Sequence, residues 1–118
     1  MFEEKEAVTD FRTVKRIVYV CDAGMGSSAM GASVIAKRLR KAGITDITVE
    51  HARVMELPDP KADIIVTHVS LRQVAHEKQP DIEIISIEDY LNAPEYDELV
   101  NSIKAARIIM LKKESARI

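Results

Sequence analysis

Short runs of β-branched residues alternate with longer amphipathic segments along this chain, and this alternation restricts the fold more than any other feature of the sequence. Four such runs predict strands at 16–21, 46–51, 63–67 and 82–87. The intervening and following segments predict helices at about 28–41 and 96–110 and a short helix after Ser70. Strands and helices in this order form βαβ units, so we predict an α/β fold with a four-stranded parallel sheet flanked by helices on both faces.

The hydrophobic pattern also indicates which strands lie in the middle of the sheet. Runs 17–20 and 64–66 are apolar without interruption, as in strands covered on both faces, whereas 45–51 alternates as at a sheet edge. The helix at 28–41 ends in basic residues, which suit the negative end of a helix dipole, and Gly43 can adopt a left-handed cap conformation. We interpret these basic residues as a solvated helix end, and the alternative is that they form a binding patch. They are Lys37, Arg38, Arg40 and Lys41.

Length and composition indicate one globular domain. The chain has 118 residues, of which 47% are hydrophobic, and a net charge of -2, which argues against binding to nucleic acid. We divide it into a flexible tail or linker at 1–14, a folded domain at 15–112 and a C-terminal tail at 113–118. No apolar run is long enough to span a membrane and the acidic start does not resemble a signal peptide, so we expect a cytoplasmic protein without direct membrane insertion.

Cys21 is the single cysteine of the chain and opens the loop sequence CDAGMGSS directly after the first predicted strand. Loops at the carboxyl ends of parallel strands form the ligand crevice of an open sheet. Gly24 and Gly26 allow the backbone to direct successive N–H groups at one anion, and the following helix adds the positive end of its dipole. The same field stabilises a thiolate, which points to a covalent phosphoryl intermediate on sulfur. The predicted phosphate-binding loop contains Asp22, Ala23, Gly24, Met25, Gly26, Ser27 and Ser28.

Other interpretations of this loop remain open from the residues alone. A lone cysteine after a buried strand also serves as a small hydrophobic residue, and the glycines also suit a tight turn. The loop lacks the lysine of an ATP-binding loop and the three-glycine spacing of a dinucleotide site, so we expect neither ATP nor NAD. The single Cys and the three His residues show no metal-ligand spacing. We therefore predict no metal and no cofactor.

Individual residues near the loop have two interpretations each. Ser27 and Ser28 either donate hydroxyl hydrogen bonds to phosphate or cap the helix. Asp22 either repels a bound phosphoryl group, which makes its transfer to an acceptor more favourable, or forms an Asx turn. His51 and His68 are predicted to end the second and third strands at the same edge as Cys21. Either histidine could contact the phosphoryl group or could simply face solvent, and we retain His68 as a possible accessory residue.

The segment VCDAGMGSSAMGA at 20–32 resembles the active-site loop of the mannitol-specific enzyme IIB domain of the bacterial phosphoenolpyruvate-dependent sugar phosphotransferase system. The similarity continues through Leu57-Pro58, DIIVTH at 63–68, Ile85-Ser86 and Leu91, and covers about 16–105. The resemblance implies that Cys21 accepts a phosphoryl group from a phosphohistidine of enzyme IIA. The group then passes to mannitol, or a related polyol, transported by the membrane enzyme IIC, at the inner face of the membrane.

These IIB domains are similar in fold to low-molecular-weight protein tyrosine phosphatases, in which an arginine lies six positions after the cysteine. Ser27 occupies that position here. A guanidinium would clamp the phosphoryl oxygens and favour hydrolysis, so its absence favours a phosphoryl carrier over a phosphatase. The alternative to a transferase is a regulatory module whose phosphorylation at Cys21 reports sugar supply to a partner protein.

Overall fold

The computed structural model describes residues 11–22, 27–57, 61–89 and 92–116, and these residues form an α/β domain. Its strands are β1 (Arg16–Cys21), β2 (Thr48–Arg53), β3 (Ile64–His68) and β4 (Glu83–Ile87). Its helices are α1 (Ser27–Lys41), α2 (Arg72–Lys78) and α3 (Pro94–Ala116). Short 3₁₀ turns at Val54–Glu56 and Val69–Leu71 follow β2 and β3. All four predicted strands and all three predicted helices are present.

The strands form one parallel sheet in the order β2-β1-β3-β4. The chain moves from β1 to β2 in one direction across the sheet, then passes β1 to reach β3 and continues to β4 in the other direction. Because such crossovers are right-handed, this reversal places α1 on one face and α2 on the other. The strand order therefore reverses between β1 and β3, and the carboxyl ends of these two strands border the expected ligand crevice.

Each face of the sheet carries its own hydrophobic core, which confirms helices on both faces. On one face, Ile17 and Tyr19 of β1 and the inner residues of β3 pack against α1 and α3, which contribute Ile35, Leu39, Tyr96, Leu99 and Ile103. On the other face, Val18 and Val20 pack with Ile65, Ala75 of α2, and Val54 and Leu57. Alternation along β1 thus divides its side chains between the two cores.

The end of α1 follows the sequence prediction. Gly43 has a φ of 82°, in the left-handed region that glycine adopts without strain. The N–H of Ile44 donates to the Leu39 carbonyl at 2.9 Å, and the N–H of Gly43 donates to the Arg40 carbonyl at 3.0 Å. These two bonds form a Schellman cap, so Gly43 ends the helix by satisfying its last carbonyl groups.

The boundaries of β2 differ from the prediction of 46–51. The strand begins at Thr48, whose N–H donates to the Lys15 carbonyl at 2.8 Å, and it continues to Arg53. Asp46 is instead held outside the strand by Arg107 of α3, with Nη1 and Oδ1 2.6 Å apart. A contact between residues so distant in sequence is invisible to local patterning, and this explains the shift of two residues.

A buried residue precedes the predicted start of the folded domain at 15, and a helix continues past its predicted end at 112. Val14 is only 1% exposed, and Phe11 packs partly against the same core, so the end of the predicted 1–14 tail belongs to the fold. Residues 1–10 lie outside the described part of the chain. Helix α3 starts at Pro94 and continues to Ala116, which places most of the predicted 113–118 tail in the helix.

Candidate functional site

Three polar residues lie side by side at the carboxyl end of the sheet. The register pairs Cys21 of β1 with Arg53 of β2. It also pairs Val20 with Thr67 of β3, so His68 lies next to Cys21 on the other side. Neighbouring strands are about 4.8 Å apart, and residues at the same level of a parallel sheet share a face. Arg53, Cys21 and His68 therefore form a row on the face covered by α1.

A cleft of 520 Å³ opens beside this row, at the point where the strand order reverses. Cys21 is half-buried at its edge, and the ends of three strands contribute its walls. Its lining residues are Tyr19, Val20, Cys21 and Asp22 at the end of β1, His68, Ser70 and Leu71 at the end of β3, and Glu88 and Asp89 after β4. The structure thus brings Cys21, Asp22 and His68 together in one cleft, as the sequence predicts.

The imidazole of His68 is oriented by Ser70. The backbone N–H of Ser70 donates to His68 Nδ1 at 3.1 Å, and the Ser70 hydroxyl lies 2.9 Å from the same nitrogen. A backbone N–H can only donate, so Nδ1 acts as the acceptor and the proton of the neutral ring belongs on Nε2. His68 can therefore present an N–H donor to an anion bound in the cleft.

Thr67 ties the two central strands together one residue before this row. Its side chain is fully buried, and its hydroxyl donates to the Val20 carbonyl at 2.8 Å. The bond fixes the end of β1 against β3 and so holds Cys21 and His68 at the same level. No sequence pattern indicated this role for Thr67, because it depends on the register of two strands 47 residues apart in the chain.

The helix that follows the Cys21 loop packs closely against β1. A Cβ atom at Gly31 of α1 would lie 2.3 Å from Cε2 of the Tyr19 ring, so only glycine allows this approach. The Tyr19 ring is itself fixed, because Tyr96 of α3 donates its hydroxyl to the Tyr19 hydroxyl at 3.0 Å and packs edge-on against the ring. Burial raises the pKa of Tyr96 above the ordinary value of a phenol. This packing sets the position of the start of α1 relative to Cys21.

The described charged groups lining the cleft are mainly acidic. Asp22, Glu88 and Asp89 contribute carboxylates, and His68 contributes an imidazole. Carboxylates repel a phosphoryl dianion, so the site needs positive or N–H groups to hold one. On the β2 side of Cys21, Arg53 carries such a group and forms an ion pair with Glu56, with Nη2 and Oε2 3.2 Å apart.

Part of the predicted phosphate-binding loop lies outside the described residues. These are Ala23, Gly24, Met25 and Gly26, and the side chains of Ser27 and Ser28 also lie outside the described part. Ser27 is the first residue of α1, so the helix begins six residues after Cys21, the last residue of β1, and one residue earlier than predicted. The anion-binding role of the loop stays a prediction.

His51 does not end its strand, contrary to the sequence expectation. It pairs with Tyr19, two residues before the end of β2. The prediction was wrong because β2 continues to Arg53, which takes the position beside Cys21. Sequence reasoning missed Arg53, since placing it requires the register between β1 and β2 and that register is set by packing.

Comparison with known proteins identifies the family. The sequence profile of the family described as PTS system, Lactose/Cellobiose specific IIB subunit, matches residues 16–102. The chain belongs to this PTS IIB family. The match covers the whole sheet together with α1, α2 and the first part of α3. It confirms the resemblance to an enzyme IIB domain.

Relatives of this IIB domain carry the name PTS system mannitol-specific EIICB component. The protein of Halalkalibacterium halodurans is 49% identical over 92 residues, and that of Geobacillus stearothermophilus is 50% identical over 91 residues. The protein of Staphylococcus haemolyticus is 40% identical over 95 residues. The matches cover 78%, 77% and 80% of this chain but 19%, 19% and 18% of the relatives, so the chain spans about a fifth of their length.

A solved structure supports the fold of the IIB domain. The lactose-specific IIB component of the phosphotransferase system from Streptococcus pneumoniae superposes with a TM-score of 0.52, covering 85% of this chain and 97% of that chain. At 20% sequence identity, this likeness concerns the fold alone. The α/β architecture predicted from the sequence is therefore confirmed.

The described residues of this IIB domain contain neither a metal-ligand cluster nor a membrane-spanning helix. Within that part of the chain, no group of three His, Cys, Asp or Glu side chains is arranged to hold a metal ion. None of the helices described is both long and apolar enough to cross a bilayer.

Proposed function

We propose that Cys21 of this IIB domain accepts a phosphoryl group from a phosphohistidine of enzyme IIA and passes it to mannitol, or a related polyol, transported by enzyme IIC. The observation that supports this most is the position of the chain's single cysteine, half-buried at the edge of the cleft where the strand order reverses. The family membership supports a phosphotransferase role, and the names of the relatives support mannitol as the acceptor.

The proposed chemistry consists of two displacements at phosphorus. In the first, the thiolate of Cys21 attacks the phosphorus, an S–P bond forms, and the P–N bond to the donor imidazole breaks with the electron pair leaving on nitrogen. In the second, a hydroxyl oxygen of the polyol attacks, an O–P bond forms, and the S–P bond breaks to regenerate the thiolate. The hydroxyl proton passes to a base, and the product from mannitol is mannitol 1-phosphate.

The proposed binding of the phosphoryl group uses N–H and O–H donors. The backbone of 22–28 and the start of α1 supply main-chain N–H groups and a positive dipole end, with hydroxyl groups from Ser27 and Ser28. His68 adds its Nε2–H from the β3 side, because Ser70 holds the opposite ring nitrogen as an acceptor. Preformed donors of this kind stabilise charge on the transferring oxygens without reorganisation.

One observation favours transfer over hydrolysis. Ser27 occupies the position where the similar phosphatases have an arginine. A phosphocysteine in this setting is retained until a suitable acceptor docks. We place the domain in the cytoplasm, at the inner membrane face through enzyme IIC.

Intact-mass measurement tests the proposal. The protein is incubated with phosphoenolpyruvate, enzyme I, HPr and a mannitol-type enzyme IIA. We expect one phosphoryl adduct, lost in Cys21→Ser and retained, at a lower rate of formation, in His68→Ala. Membranes that contain enzyme IIC should then release mannitol 1-phosphate from mannitol.

Three outcomes would contradict parts of this scheme. No adduct at all would refute phosphorylation at this site. Rapid release of inorganic phosphate without a sugar acceptor would indicate a hydrolase. An adduct on Cys21 that never reaches a polyol in the presence of enzyme IIC would favour the regulatory module.

A further inference from the structure

We propose that Arg53 is a phosphoryl-binding residue of this site, held by Glu56 in the free protein and directed to the phosphoryl group when Cys21 carries one. This inference rests on the proposed function, because it assigns a second contact to the same phosphoryl group. It concerns the β2 side of Cys21, opposite the cleft formed with β3.

The sheet register brings Arg53 to Cys21. The two residues are direct partners in the parallel pairing of β1 and β2, at the last paired level of both strands. Their side chains share the α1 face, since the α1 core contains Ile17 and Tyr19, which alternate with Val18 and Val20 in the opposite core. The strand spacing of about 4.8 Å is shorter than an extended arginine side chain, so the guanidinium can reach a group on the sulfur.

The negative charges around Cys21 favour a cationic side chain such as Arg53 beside a phosphoryl group on the sulfur. Asp22 follows Cys21 directly, and Glu88 and Asp89 line the neighbouring cleft, so the surroundings described on that side are negative. A phosphoryl group adds further negative charge. A guanidinium binds phosphoryl oxygens through two parallel N–H contacts, which suits this role. Arg53 would make these contacts from the end of β2, and not from the loop position six residues after the cysteine where the similar phosphatases have their arginine.

Glu56 holds Arg53 in the unphosphorylated protein. The N–H of Arg53 donates to Glu56 Oε1 at 2.9 Å, and its Nη2 donates to Glu56 Oε2 at 3.2 Å. Both side chains are about half exposed, at 56% and 46%, and exposed ion pairs of this kind are weak. The backbone bond can persist while the guanidinium exchanges the carboxylate for a dianion. Arg53 therefore lies near Cys21, and its ion pair with Glu56 is weak enough to be exchanged for a phosphoryl group.

Alkylation of Cys21 measures the charge at the sulfur without any partner protein. Iodoacetate is an anion and iodoacetamide is neutral, and both react with the same thiolate, so the ratio of their rates reports the local field. One unit charge about 6 Å from the reacting group changes the rate of the anionic reagent about threefold in water. We expect Arg53→Gln to lower the iodoacetate to iodoacetamide ratio about threefold and Arg53→Lys to retain most of it.

Arg16→Gln is the matched control. Arg16 lies at the opposite end of β1 and also forms an exposed ion pair, with its Nε 3.4 Å from Glu50 Oε2. The change in net charge is the same, but it lies at the far end of the strand from Cys21, so the ratio should stay that of the unmodified protein. Glu56→Gln should raise the ratio, and the rise should be smaller in the Arg53→Gln background because no guanidinium is left to release.

The alkylation result separates this inference from the proposed function. Equal ratios in Arg53→Gln and Arg16→Gln would overturn the role of Arg53, whether or not Cys21 is phosphorylated. Failure of enzyme IIA to phosphorylate Cys21, seen by intact mass, would instead refute the proposed function. Circular dichroism of the Arg53 variants checks that a lowered ratio does not come from loss of the fold.

Discussion

Gly31→Ala is expected to destabilise the domain, although alanine is the better helix former. Gly31 lies in α1 directly against the Tyr19 ring, and a Cβ atom there would be 2.3, 2.5 and 2.8 Å from three ring carbons. The ring cannot move aside easily, because Tyr19 is 2% exposed and its hydroxyl is bonded to that of Tyr96. The new methyl group must therefore push α1 away from the sheet or distort the tyrosine pair.

The two opposing effects of the substitution have known sizes. Replacing glycine by alanine inside a helix gains about 1 kcal/mol. Forcing an extra methyl group into a packed core costs about 1–3 kcal/mol, and contacts with three ring atoms place Gly31→Ala at the upper end. We expect a net loss of about 2 kcal/mol in the free energy of unfolding, which corresponds to a fall of roughly 8 °C in Tm for a domain of this size.

Urea unfolding followed by circular dichroism measures this loss. Ser33→Ala, at an exposed position of the same helix, is the control and should gain up to about 0.5 kcal/mol. Gly31→Ala in a Tyr19→Leu background should lose much of its penalty, since leucine lacks the colliding ring atoms. An unchanged or higher Tm for Gly31→Ala would refute the close packing of α1 on Tyr19.

Two further substitutions test contacts that the fold depends on. Hydrogen bonding to Arg107 lowers the pKa of Asp46, so the carboxylate stabilises the fold above about pH 3.8 and this contribution disappears as the pH falls through the lower folded-state pKa. Asp46→Asn should therefore lower the free energy of unfolding by less than about 1 kcal/mol at pH 7, and urea titrations at successively lower pH should show a smaller loss as the carboxylate takes up a proton. A loss that does not change with pH would contradict the linkage. Thr67→Val removes the hydroxyl that donates to the Val20 carbonyl and should cost about 1–3 kcal/mol. Thr67→Ser should retain most of the stability, and a Thr67→Val protein as stable as the original would show that the bond contributes nothing.

The fold could be predicted from the sequence because its main signals are local. Uninterrupted apolar runs at 17–20 and 64–66 identified the two central strands, and Gly43 marked the end of α1. The errors occurred where distant contacts decide the outcome. Arg107 holds Asp46 outside β2, and the core retains Val14.

For the site, the sequence likewise predicted some residues correctly and others not. Cys21 and His68 could be placed together because each lies at the end of a strand marked by an apolar run, and such strands end at one edge of a parallel sheet. Arg53 and His51 could not be assigned correctly, since a shift of two residues in β2 decides which of them lies beside Cys21. Thr67 was missed because its hydroxyl bond crosses between strands.

The central claim is that the sulfur of Cys21 carries the phosphoryl group. Phosphorus NMR of the domain phosphorylated through enzyme IIA tests it most directly, because phosphorus bonded to sulfur and phosphorus bonded to imidazole nitrogen resonate at well-separated positions. We predict a single S–P resonance that is absent from Cys21→Ser. A resonance of the N–P type that persists in Cys21→Ser would place the phosphoryl group on a histidine and contradict the account.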